Sequence, residues 1–159
     1  LILHMTNAAR GTVGRMGYEI ARLMDDPRYA PEPVHGGAVR LVRTFMMEHA
    51  PEQVDQLPAY LAARLGDTAP PAWVLNRTGL LCMERSQRDW GLRLLTLNAE
   101  LHPENGNVQD SLADAYEQTG QFDLARRHYQ QALTLGRSVQ DCYWCSNAQA
   151  ALNRPAPEQ

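Results

Sequence analysis

One repeat length constrains this chain more than any other feature. Gly79 and Ala113 stand 34 residues apart, and the same offset joins Cys82 to Tyr116, Ser86 to Gly120, Asp89 to Asp123, Gly91 to Ala125, Leu95 to Tyr129 and Leu101 to Leu135. A unit of that length holds two helices and two turns, and it buries its apolar faces only by stacking on the next unit. Small residues at 79 and 91, and again at 113 and 125, let the two backbones of a pair approach closely, with Leu95 and Tyr129 filling the space beside them. Gly120 suits a tight turn with a left-handed residue, while Pro103 and Asn105-Gly106 separate one pair from the next. The spacing predicts helices over 73–85, 88–101, 107–119 and 122–135.

Beyond Gly136, the run Ser138-Val139-Gln140-Asp141 reads as a capping box that opens a helix through Leu152. Such a helix is half of a further unit, the usual way a stacked array closes its open end. The tail 154–159 carries two prolines and is expected to be disordered. The first half is less regular. Leu1 to Asn7 reads as a short strand, and Thr12 to Met24 as a helix with Val13, Met16, Ile20 and Leu23 at helical spacing. Residues 31–37 form a linker. Residues 38–65 read as a degenerate helical hairpin, with Val39, Val42, Phe45 and Met46 on one side of its first helix and Pro58 opening or kinking its second.

Composition matters chiefly for what it removes. All fifteen basic residues are arginine. Without lysine there is no Schiff base, no phosphate-loop amine and no Ser-x-x-Lys pair, and arginine stays protonated at any working pH. The four serines (Ser86, Ser111, Ser138, Ser146) therefore have no such base. A net charge of −3 argues against a nucleic-acid partner, and no run approaches the ~20 apolar residues of a membrane span.

The segments Leu75-Asn76-Arg77-Thr78-Gly79, Leu97-Asn98-Ala99-Glu100-Leu101-His102-Pro103 and Val108 to Tyr116 resemble tetratricopeptide repeats. More narrowly, they are similar to the repeats attached behind serine β-lactamase-like hydrolases, in which Asn98 replaces a more usual alanine. Leu3-His4-Met5-Thr6-Asn7, followed by a helix containing Glu19-Ile20, resembles the last strand and closing helix of that hydrolase domain. The resemblance implies an all-α fold over most of the chain, an antiparallel helix-turn-helix array over 73–153 with a capping helix. It also implies a strand and helix over 1–30 left from an adjoining α/β domain, whose catalytic residues lie upstream of Leu1. A soluble bacterial protein, periplasmic or cytoplasmic, is expected.

Cys142-Tyr143-Trp144-Cys145 has the C-x-x-C form; within a capping helix it reads as packing, with a redox or metal role as the alternative. His35-Gly36-Gly37 reads as a turn, and Gly11, Gly14 and Gly17 as close-packing positions. No histidine has metal-ligand spacing, and no cofactor is expected. The inner face of the array is the expected binding groove: Trp73, Asn76, Leu80 and Met83, then Asn107, Asp110, Asp114 and Glu117, then Trp144. Its acidic and apolar character argues against carboxylate capture and suits a basic or amide-rich protein or peptide, the adjoining hydrolase domain included. A third arrangement uses the repeats as a homodimer surface near Cys142 and Cys145. The expected function is thus a non-catalytic interaction module.

Overall fold

Helix formation follows the repeat register closely. The computed structural model describes residues 36–66 and 70–154. The expected strand and helix of 1–30, most of the linker and the tail beyond Arg154 lie outside the described residues. The described elements are all helical: α1 (Gly36–Glu48), a 3-10 turn (Pro51–Gln56), α2 (Leu57–Leu65), α3 (Ala72–Glu84), α4 (Arg88–Leu101), α5 (Gly106–Gln118), α6 (Phe122–Gly136) and α7 (Cys145–Asn153). None is long and apolar enough to cross a membrane.

Boundaries are set by local chemistry. Asn105 caps α5 through its side-chain oxygen, which accepts from the Val108 amide at 3.3 Å. Gly66 and Gly120, at φ 86° and 76°, end α2 and α5 in conformations that a β-carbon resists. Pro58 sits in the first turn of α2, where its missing N–H removes no helical bond. It opens that helix and does not kink it.

Three expectations change. Gly36 and Gly37 are the first turn of α1, so the helix starts before Ala38 and these two glycines belong to neither the linker nor a free turn. The second helix of the leading hairpin splits into the 3-10 turn and α2. The run from Ser138 does not open a helix: residues 137–144 form turns, Asp141 has φ 58°, and α7 begins only at Cys145. A left-handed residue does not lie within a right-handed helical turn, so the capping box is not formed.

The close approach within α3 and α4 is physical contact. A β-carbon built on Gly91 would stand 2.9 Å from the Gly79 carbonyl oxygen, and one on Gly79 would meet Leu95 at 2.7 Å. At the equivalent places, Ala113 and Ala125 are buried and Tyr129 takes the position of Leu95. Core composition changes along the array. Val42, Phe45, Leu57, Leu61, Leu75 and Leu94 fill the α1–α4 end. Leu95, Val108 and Leu112 join the two repeats. Ala113, Ala125, Ala132, Ala148 and Ala151 surround Tyr129 under α7. Large side chains each contribute about 1.5–3 kcal/mol by burial, whereas the alanines chiefly allow the cap to lie close.

Ser86 stands in register with Gly120 and adopts the same left-handed geometry, at φ 61°. Serine carries a β-carbon into a region that glycine occupies without strain. Ser86→Gly is therefore expected to raise stability in urea unfolding by about 0.5–1 kcal/mol, while Gly120→Ala lowers it by about 1 kcal/mol.

Candidate functional site

The nine residues expected to line one groove separate into three environments. Trp73 is 43 % exposed at the start of α3. Leu80 is half-buried and packs on the second core cluster, while Met83 is part of that core, lying over Gly91. Asn76 is buried, its amide donating to Ser111 Oγ at 2.9 Å. Asn107 is half-buried at the start of α5. The positions 73, 76, 80 and 83 thus do not form one open face. The solvent-facing row of α3 runs instead through Trp73, Arg77, Leu81 and Arg85, at a spacing of four.

Asp110, Asp114 and Glu117 do share a face of α5, but the chain itself occupies it. Asn147 of α7 donates to both oxygens of Asp110 at 3.0 Å and to Asp114 at 3.3 Å. The Tyr129 hydroxyl of α6 lies between Asp114 and Glu117, at 2.9 Å from Glu117. Arg154 pairs with Glu117 at 2.7 Å. Trp144 donates its indole N–H to the Ala132 carbonyl at 3.2 Å and lies against Gly106. The expected acidic groove is therefore the seat of the capping helix. Repeat spacing located α5 correctly, but whether a cap lies on a face is decided by chain outside the repeat.

That seat is electrostatically loaded. Burial pushes the Asp110 carboxyl up to about 6, opposed by the Asn147 hydrogen bond and reinforced by Asp114. Burial, with the Asp114 contact next, raises the Tyr129 hydroxyl so that it stays protonated. Burial acts in the opposite direction on His128, lowering its imidazole; its Nδ1 lies 2.8 Å from Gln109 Oε1 and its ring stacks on Tyr116.

An open concavity lies elsewhere among the described residues, between α1 and α3. It encloses about 890 Å³ and is lined by Arg40, Arg43, Met46 and Met47 from α1, by Arg77, Leu81 and Cys82 from α3 with Arg85 at its C-terminal end, and by Trp90. Among the described residues, no carboxylate lies within ion-pair distance of the four arginines. Met47 is 80 % exposed and Leu81 37 %. Burial pushes the Cys82 thiol up, only partly offset by Arg85, so it is a packing residue and not a thiolate. Among the described residues, four cations around an apolar strip thus have no carboxylate partner, in a chain whose net charge is −3. Sequence reading missed this groove. Arg40 and Arg43, and Arg77 and Arg85, carry the signal in their helical spacing, but only the packing of α1 on α3 brings the two rows together.

Among the described residues, no cluster of three or more His, Cys, Asp or Glu side chains has a geometry that holds a metal ion. Cys142 and Cys145, expected to be ordinary packing residues inside a helix, form a disulfide at the start of α7. Comparison with family models, with curated proteins and with solved structures finds no significant match for this chain.

The Asp110 shift has a defined sign. Its folded value lies above the usual carboxyl value of 3.8, so the fold favours the protonated form. That contribution is fully present below about pH 4 and is lost as pH rises through 6. Asp110→Asn keeps an acceptor for Asn147 without the buried charge. It is expected to match the native chain near pH 4 and to exceed its stability at pH 7.5 by on the order of 1 kcal/mol, read as the difference between their melting curves.

Proposed function

We propose that this chain is a non-catalytic interaction module of tetratricopeptide type whose α1–α3 groove holds an acidic, partly apolar segment of a protein partner. The observation that carries the reading is the convergence of Arg40, Arg43, Arg77 and Arg85 on a concavity floored by Trp90 and edged by Met47 and Leu81. Guanidinium groups bind carboxylates in fixed, forked geometry, and the exposed methionine and leucine supply adaptable apolar contact. The two helices run 13 residues each, roughly 20 Å. An extended segment of about six residues spans that length, as does a helix of about a dozen.

The 34-residue register and the helical pairs support the tetratricopeptide assignment. The resemblance of Leu3 to Asn7 to a β-lactamase-like strand supports a partner in the same polypeptide, an adjoining serine-hydrolase domain. In either setting the groove selects acidic character, in contrast to the basic partner that an acidic groove implies.

Titration of a fluorescein-labelled twelve-residue peptide with Glu and Leu at helical spacing tests the reading. Binding is expected to weaken with added salt and to fall about tenfold in an Arg40→Glu/Arg77→Glu variant. Equal binding of the counterpart with Lys in place of Glu, or an unchanged affinity in the variant, overturns it. So does tighter binding of a single-stranded RNA than of the acidic peptide.

A further inference from the structure

The capping helix is held by a device that neither the repeat register nor the groove requires. Cys142 and Cys145 are joined across a turn, with Cα atoms 5.4 Å apart, and Cys145 is the first residue of α7. Their sulfurs rest against Gly136 at the end of α6, where any β-carbon would overlap both. Both cysteines are only half-buried, and Tyr143 between them is 70 % exposed. The bond is therefore open to solvent on one side and seated on the preceding helix on the other.

We propose that the Cys142–Cys145 disulfide is a redox-reversible clasp that a dithiol opens, releasing α7 from the acidic face of α5. An incoming thiolate attacks Cys142, forms a mixed disulfide and expels Cys145. The Cys145 thiolate leaves at a helix N-terminus, where the backbone dipole stabilises its negative charge before it takes a proton. The second thiol of the reductant then displaces Cys142. The protein gains two electrons and two protons as paired thiols, and the reductant becomes a disulfide.

The effect of reduction is local because the crosslink spans a separation of three residues and restricts the unfolded chain little. What it holds is the turn. Between Ser138 and Cys145 no amide before that of Cys145 donates within the segment except Val139, to Gly136. Cys145 donates to Cys142, the Trp144 and Tyr143 carbonyls accept only from α7, and Asp141 is held in the left-handed region. The helix that follows has nine residues, too few to persist without tertiary support. Its other polar ties are the Trp144 indole to the Ala132 carbonyl, Asn147 to Asp110 and Asp114, Arg126 to the Leu152 carbonyl and Arg154 to Glu117. All but the first use an exposed side chain that water can replace once the turn loosens. With the turn free, the cap frays and the row Asp110, Asp114, Glu117 becomes accessible.

The test compares the 159-residue chain oxidised in air with the same chain in dithiothreitol. Alkylation after denaturation, read by intact mass, should find one free thiol in the first and three in the second. Hydrogen exchange of the 144–153 segment should accelerate about tenfold on reduction, while α3 and α4 stay unchanged. A Cys142→Ser/Cys145→Ser variant should exchange like the reduced chain with or without reductant. If that variant does not fold, the native chain in the two redox states decides alone. Three free thiols after air oxidation, identical exchange in both states, or acceleration spread evenly over all helices overturns the proposal.

Discussion

The contact between the α3 and α4 backbones at Gly79 and Gly91 is the constraint from which the rest of the array follows. Two helices that approach this closely leave no room for a side chain between them, so the apolar residues flanking the contact must project outward to the next layer. Leu95 and Met83 do so, closing over the glycines and meeting Val108 and Leu112 of the second repeat. There the glycines become Ala113 and Ala125, and the larger Tyr129 stands where Leu95 stood. The pairs are therefore related in plan but not in detail, and the change from Leu95 to Tyr129 introduces a hydroxyl that must be satisfied in the interior.

That hydroxyl organises the end of the molecule. Tyr129 finds Asp114 and Glu117, and those carboxylates, with Asp110, draw in the amide of Asn147 and the guanidinium of Arg154. A row of acids on α5 is thus part of the joint between the last repeat and its cap. The alanine-lined core beneath α7 supplies little burial by comparison, so polar contacts and a covalent crosslink carry a large share of the cap's attachment. Such an arrangement is open to change in proton activity and redox state in a way that a leucine-packed joint is not.

At the opposite end the chemistry reverses. The α1–α4 core is rich in large aliphatic and aromatic side chains, with Phe45 set between His49, Tyr60 and Trp90. This packing fixes α1 against α3 firmly enough to hold four arginines in one concavity. Among the described residues, a basic groove therefore lies open between α1 and α3, and the acidic face of α5 is covered by α7. Recognition is proposed for the open one.

The amino-acid sequence alone determined the helical register. Residues 34 apart carry the same packing roles, and four helix spans could be read from Gly, Pro and Asn punctuation because those signals are local. It also contained, unread, the left-handed turn at Ser86, which its alignment with Gly120 implies. Periodicity does not specify which arc of a helix meets a neighbour. Asn76 and Met83 share a helical arc with Trp73 in the repeat register, yet tertiary packing makes them interior, while Arg77 and Arg85 stand outward beside them. Nor does it reveal what covers a face. The acids of α5 resemble a groove in any one-dimensional reading, and only the fold lays Asn147 and Arg154 upon them. The C-x-x-C pair shows the same limit, since a spacing of three suits either a continuous helix or a crosslinked turn. The turn after Gly136 decides between them, because a disulfide seated on that glycine delays the start of α7 to Cys145.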